Sequence, residues 1–478
     1  MAGASQPRTG SVQKPRNASR TLSALGRYML RSAPMLVLAL TLSIVGNIFQ
    51  LIGPTLCGRA IDAVSGGKGQ VDFDTVSYYT VRMIGFYVAS AALAYLVPQI
   101  VLRVSQRTVR LMRADLFSKL MAVPVKYFDT HQMGEILSRI SYDIDTVNTS
   151  LSNDLVQILT SIVTVVGALV MMIKISPALV LVFVVTVPLS VLFTRFMTRR
   201  VRPLYHNRSK CLGAMNGFVE EYISGQKTIR AYHREEDVLA RFDEKNEDAV
   251  NSYYKAEYYA SSTGPSVNFI NNLSLTLISV FGALMYLNGA ITIGNISSFV
   301  LYSRKFSGPI NEAANIFSEL QSALAAAERV FELLGEEEEP ADVQGAMPLR
   351  VEKGGVTFRH VDFGYDPEKT ILKDVNLRAE PGNMIAIVGP TGAGKTTIVN
   401  LLMRFYDPQK GEIRIDDQSI YQVTRKSLRG SFSMVLQDTW LFNGTIRENI
   451  RYGRPDATDA EVEAAARAAR CDHFIHTL

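Results

Sequence analysis

Up to about position 300 the chain alternates between long uncharged apolar runs and long charged stretches with helical periodicity. Met35 to Pro54 and Met83 to Leu102 each carry no charge, and Val267 to Leu287 is a third run of this kind. Leu155 to Ile173 and Ile175 to Thr194 form a close pair joined near Lys174 to Pro177. A further, less apolar run begins near Ile291 or Ile296. About 20 apolar residues are what a helix needs to cross roughly 30 Å of hydrocarbon. A helix buried in a large soluble core is the competing reading, but repeated runs of this length in one chain are unusual outside membranes. The pattern therefore predicts a six-helix α-helical transmembrane domain.

The connections between runs also follow a pattern. Arg103 to about Asp154 and Arg195 to about Gly264 are long enough to carry helices tens of ångströms beyond the membrane. Each has one break. The first is Pro124-Val125-Lys126-Tyr127-Phe128-Asp129 with Gly134 after it, and the second is Ser224-Gly225-Gln226. A short cross-helix that touches another domain would explain such breaks, and so would an ordinary turn between helices.

Charge sets the orientation. Arg8, Lys14, Arg16, Arg20, Arg27 and Arg31 precede the first run; Arg103, Arg107, Arg110 and Arg113 follow the second; Arg195, Arg199, Arg200 and Arg202 follow the fourth. The bias of Lys and Arg toward the cytoplasm places both termini there and makes the chain a multi-pass integral membrane protein. The first apolar run starts too late and is too long for a cleaved signal peptide. Residues 1–20, rich in Ser, Arg, Gly and Pro, are expected to be a disordered basic tail. The net charge of +5 comes with no basic patch interleaved with aromatics, so no nucleic-acid partner is expected. Cys57, Cys211 and Cys471 are too few and too scattered for a disulfide framework or a zinc site.

After Gly335 to Pro340, a glycine, four glutamates and a proline, the pattern changes to short strands. The domains expected are 21–330 in the membrane, a linker at 331–350, and 351–478 beyond it. The strands are predicted at Val356 to Val361, Ile371 to Leu377, Met384 to Val388, Glu412 to Ile415 and Phe432 to Leu436; helices are predicted at Thr396 to Phe405 and Asp459 to Arg470. This is the pattern of an α/β domain. Between one of these strands and a helix lies Gly389-Pro390-Thr391-Gly392-Ala393-Gly394-Lys395-Thr396, which fits G-x-x-x-x-G-K-[ST]. In that motif the glycines let backbone N–H groups approach phosphates and the helix N-terminus adds its positive dipole end. Lys395 would reach the β- and γ-phosphates, Thr396 would bind Mg²⁺, and Thr397 would follow at the helix start. The chain is expected to bind ATP with Mg²⁺.

The whole arrangement resembles an ATP-binding-cassette exporter half-transporter, over about residues 20 to 478. Phe363-Gly364-Tyr365 is similar to the family's aromatic loop, which implies Tyr365 against adenine. Met434-Val435-Leu436-Gln437-Asp438 is similar to its Q-loop, which implies Gln437 near Mg²⁺ and the attacking water. Leu441 to Ile450 resembles the segment that follows the Q-loop. Tyr127-Phe128-Asp129 and Ile223 to Ile229 resemble the two coupling regions. The resemblance implies an ATPase that exports a small molecule, drug or lipid across the cell membrane. It also implies a second half-transporter as partner, in a homodimer or a heterodimer, and membrane lipid around both.

The family's signature loop, its Walker B aspartate with the catalytic glutamate, and its switch histidine have no counterparts before Leu478. His473 and His476 lack the switch context. The nucleotide-binding domain is thus expected to be incomplete, its N-terminal part only, and unable to hydrolyse ATP alone. A fragment of a complete half-transporter and a truncated product both fit that expectation. So does an ATP-binding, non-hydrolysing subunit of an asymmetric heterodimer or of a regulatory membrane protein.

Overall fold

The computed structural model describes residues 17–65, 71–366, 368–436 and 439–477, with the side chains of 311 and 314 excepted. The chain divides into two compact units, Met1–Glu338 and Glu339–Leu478.

The first unit is helical. It runs through α1 (Ala18–Leu30), α2 (Ala33–Val64), α3 (Phe73–Ala122), α4 (Val125–Thr130) and α5 (Met133–Ser138). A π turn at Arg139–Asp143 leads into α6 (Ile144–Ile175), followed by α7 (Pro177–Ser224), α8 (Gln226–Ala231), α9 (Glu235–Leu287) and α10 (Ile293–Leu334). By length and composition five helices can cross a membrane: α2, α3, the stretch Met133–Ile175 that ends in α6, α7 and α9. The 42 residues of α10 include Arg304, Lys305 and Glu312, which dilute its apolar character.

Residues 1–16 of the expected tail lie outside the described residues, but Ala18 to Arg20 are helical, which corrects the reading of residues 1–20 as disordered throughout. Thr21, Leu25 and Met29 recur every four residues on the buried side of α1, so packing orders a segment whose composition reads as polar coil. Tyr28 adds a hydrogen bond to Asp115 at 2.7 Å; burial and that carboxylate push the phenol up to about 12.

The helices that carry the charged stretches are long. At about 1.5 Å per residue, the 50 residues of α3 and the 53 of α9 reach about 75 and 80 Å. Both sequence breaks are short helices, α4 and α8, of six residues each. Tyr127 anchors α4 in the core; its ring stacks on His131 at 4.1 Å.

Inside the first unit, α10 packs chiefly against α6 and α2, with ring contacts to α7. Pro54 interrupts the backbone ladder of α2, and the hydroxyls of Tyr302 and Ser298 donate to the carbonyls of Leu51 and Pro54 there. Phe183 of α7 meets Phe299 and Phe306 from the other side. Toward the far end the two backbones nearly touch. A Cβ on Gly294 would lie 2.0 Å from the Gly58 carbonyl oxygen, so the crossing needs glycine. Asp62 at the end of α2 accepts from Gly294 N and Thr292 Oγ1, both at 2.8 Å, which places a carboxylate at the positive end of α10.

The second unit holds a sheet of β1 (Val356–Phe363), β2 (Leu372–Ala379), β3 (Lys410–Ile415) and β4 (Gln418–Ser419) in the order β2-β1-β3-β4, all antiparallel. A bulge near Arg359–His360 shifts the alternation, so Phe358, Val361 and Phe363 all reach the core. Asp416 and Asp417, both at positive φ, make the two-residue turn between β3 and β4. Helices α11 (Lys395–Leu402), α12 (Arg425–Gly430), α13 (Ile446–Arg451), α14 (Asp459–Ala468) and α15 (Asp472–His476) complete the unit. The core joins Phe358, Val361, Leu401, Ile413, Ile420 and Leu428.

Two expected strands are absent from this sheet. Among the described residues, Met384–Val388 and Phe432–Leu436 join no ladder. Met384 is 99% exposed and Val435 92%. Near-continuous apolar runs suit strands covered on both faces. A run becomes a strand only when a neighbour satisfies its backbone, and the four-stranded sheet offers these two segments no partner. Predicted boundaries also move: the helix expected to run to Phe405 stops at Leu402, and the one expected to run to Arg470 stops at Ala468.

Candidate functional site

The phosphate loop sits between the unpaired Met384–Val388 segment and α11. Gly389, Pro390, Thr391, Gly392 and Ala393 are exposed, and Gly394 is buried at the start of the helix. Gly394 has a φ of +87°, and a Cβ there would come within 2.7 Å of Leu372 Cδ2. Only glycine meets both demands, a left-handed backbone and close packing of the loop on β2. The N–H groups of Lys395, Thr396 and Thr397 have no carbonyl partner among the described residues, as expected for a helix's first turn. They are free to take anionic oxygens.

Lys395 folds back over the loop, its Nζ donating to the carbonyls of Gly389 and Pro390, both at 2.8 Å. Thr396 is exposed, and its hydroxyl makes no hydrogen bond among the described residues, while Thr397, the next residue of α11, is buried. The groups that such a motif offers an anion are present here: backbone N–H groups without a carbonyl partner, an ammonium on the loop and a hydroxyl without a hydrogen bond among the described residues.

Tyr365 lies at the end of β1 in an aromatic cluster. Its ring meets Phe363 edge-on at 5.1 Å and Tyr406 at 4.9 Å. Asn400, on the helix that begins with Lys395, donates to the Tyr365 hydroxyl at 3.0 Å. The carboxamide of Gln409 pairs with both backbone groups of Gly364, at 3.0 and 2.8 Å. The aromatic position and the phosphate loop are thus tied through α11 and the strand core. Asn400, Tyr406 and Gln409 escape sequence reasoning, because a lone amide or aromatic outside a motif gives no signal. Gln437 lies outside the described residues. The segment after it is held by its own contacts: Asn449 exchanges two hydrogen bonds with the Phe442 backbone, and Thr445 with Glu448 makes a capping box for α13.

Asp416 anchors the edge of the sheet nearest the start of β1. Its carboxylate accepts from the N–H groups of Glu352, Lys353, Gly354 and Gly355 at 2.8 to 3.0 Å. These backbone bonds, that from Gly354 foremost, hold its pKa far below the usual carboxylate range.

Comparison with known proteins decides the family. The ABC transporter transmembrane region matches residues 36–310, more than half of the chain, and the ABC transporter domain matches residues 372–478. The chain belongs to the ABC transporter family. This ABC transporter is 40% identical to the uncharacterized ABC transporter ATP-binding protein YfiC of Bacillus subtilis (strain 168), over 97% of the chain and 76% of that protein. It is 37% identical to the fatty acid ABC transporter ATP-binding/permease protein of Mycobacterium tuberculosis (strain CDC 1551 / Oshkosh), over 99% of the chain and 81% of that protein. Among solved structures it resembles a bacterial Atm1-family ABC exporter with ATP bound, with a TM-score of 0.72 and 27% identity, covering 93% of this chain and 78% of that one. The transporter thus combines a helical transmembrane domain of exporter fold with a phosphate-loop domain of the ATP-binding type.

Proposed function

We propose that this chain is one half of a dimeric ATP-driven exporter of a small molecule, drug or lipid in the cell membrane, with α10 as its sixth span and both termini in the cytoplasm. The free N–H groups at the start of α11, beside a lysine parked on its own loop, carry the reading. In this reading Gly389 to Thr397 cradle the β- and γ-phosphates, Lys395 offsets their charge, and Tyr365 stacks on adenine. Thr396 and Gln437 would hold Mg²⁺, which spreads charge over the transferred phosphoryl group. The short helices α4 and α8 would pass the motion of the nucleotide domains to the spans. Support for export comes from the exporter fold shared with the Atm1-family structure. A lipid-like cargo is in keeping with the mycobacterial relative's name.

For the assembled transporter the test is ATP-dependent uptake into inverted vesicles of labelled palmitate, a labelled phospholipid and a lipophilic cationic dye. Uptake of at least one probe is expected, and Lys395→Ala should abolish it. Undiminished uptake by that variant contradicts the proposal.

A further inference from the structure

A cavity of about 880 Å³ opens in the first unit between α1, the connection from α4 to α6 and the last turns of α10. Its walls carry opposite charge. Arg20, Arg27 and Arg31 come from α1 and its C-cap, and Glu328, Glu332 and Glu336 from the end of α10 and just beyond it. At about 100° per residue the three arginines fall within about 40° of one another, in a row about 16 Å long. Glu328 and Glu332 stand one turn apart, and Glu336 follows soon after the helix ends at Leu334.

The two rows line one cavity, yet their charges are largely unused. Arg20 and Arg27 make no ion pair or hydrogen bond among the described residues, and neither do Glu332 and Glu336. Arg31 only lies over the Tyr28 ring, at 5.2 Å. Packing fixes the spacing of the walls. Asn17 N donates to Glu328 Oε1 at 2.8 Å, the rings of Tyr28 and Phe331 meet at 6.1 Å, and Thr21, Leu25 and Met29 bury the other side of α1. Arg139 also lines the cavity, held by Tyr127 at 3.3 Å and Glu135 at 2.6 Å; its buried Nε has no partner among the described residues. Arg20, Arg27, Arg31 and Glu332 are exposed, and the arginines precede the first apolar run, so the cavity meets water. Its volume suits a small molecule.

We propose that this cavity binds a soluble zwitterion of short-peptide size, with its carboxylates along the arginines of α1 and its ammonium groups along the glutamates at the end of α10. A lone anion satisfies one wall and leaves the other unpaired, and so does a lone cation. An extended peptide of alternating acid and base satisfies both, because successive side chains point to opposite sides. Guanidinium forks match the carboxylates of such a ligand. The site belongs to the first unit, whereas the phosphate loop belongs to the second, and it does not depend on what the transporter carries.

The test is titration calorimetry on the full chain in phosphatidylcholine nanodiscs without nucleotide. Three peptides of one length are compared: a tetrapeptide of alternating glutamate and lysine, tetraglutamate and tetralysine. The wild type is expected to bind the alternating peptide about tenfold tighter than either of the others. Arg20→Glu with Arg27→Glu makes both walls acidic and should shift the preference to tetralysine. Glu332→Arg with Glu336→Arg makes both basic and should shift it to tetraglutamate. The fourfold variant exchanges the walls and should recover the preference for the alternating peptide, which a merely structural role of these residues would not produce. Melting curves show which variants are folded. Should a reversal fail to fold, Arg27→Gln and Glu332→Gln serve instead, and each should weaken binding of the alternating peptide about threefold or more. Three outcomes overturn the proposal: no preference for the alternating peptide in the wild type, an unchanged ranking in folded variants with one wall reversed, or equal affinity in wild type and both glutamine variants.

Discussion

Asp416 shows how much one side chain can organise. With four backbone donors on one carboxylate, its folded pKa is depressed, so its contribution to stability is fully present above the ordinary value of about 3.9 and fades as pH falls through the lower folded value. Amide exchange at Glu352 to Gly355 should therefore be faster in Asp416→Asn than in the wild type at neutral pH. The two should converge in strong acid, and a gap that widens on acidification would contradict the assignment. Tyr365 allows a sharper division of roles. If its ring stacks on adenine, Tyr365→Ala should weaken ATP binding by on the order of 1 kcal/mol, about fivefold. Tyr365→Phe keeps the ring and loses only the bond from Asn400, so it should bind nearly as wild type. Equal losses in isothermal titration of both variants would assign the effect to the hydroxyl.

Among the elements, the π turn Arg139–Asp143 joins the short helix α5 to α6 and puts Asp143 into the core. Arg329 of α10 closes on that carboxylate with two bonds, at 2.9 and 2.5 Å. Asp143→Ala would leave the guanidinium beside a buried gap. A cost on the order of 3 kcal/mol is expected, tempered by the part of Arg329 that stays wet. A melting temperature of the variant equal to wild type would contradict this. The charge-free runs were legible in the sequence because a run of such length has one good physical explanation. Strands β1 to β3 were legible through their alternation, and Lys395 through its motif. The π turn was not, since five residues are too few to show a period of their own. The Met384–Val388 and Phe432–Leu436 segments misled for a definite reason: apolar composition reports what a strand could bury, whereas pairing depends on neighbours far away in sequence. Gln409 and Asn400 were hidden likewise, because what they hold lies 45 and 35 residues away.

At the scale of the whole molecule, exporters of this family act as pairs of half-transporters, and this chain carries both a helical transmembrane domain and a phosphate-loop domain. Everything proposed about drive depends on Lys395 leaving the carbonyls of Gly389 and Pro390 for the phosphates of ATP. The most direct measurement is equilibrium binding of Mg-ATP to the full chain and to Lys395→Ala, with melting curves to show both folded. The account predicts binding by the wild type and a loss of about tenfold or more in the variant, as for a charged hydrogen bond worth about 1.5 to 3 kcal/mol. Equal affinity in two folded proteins would contradict it.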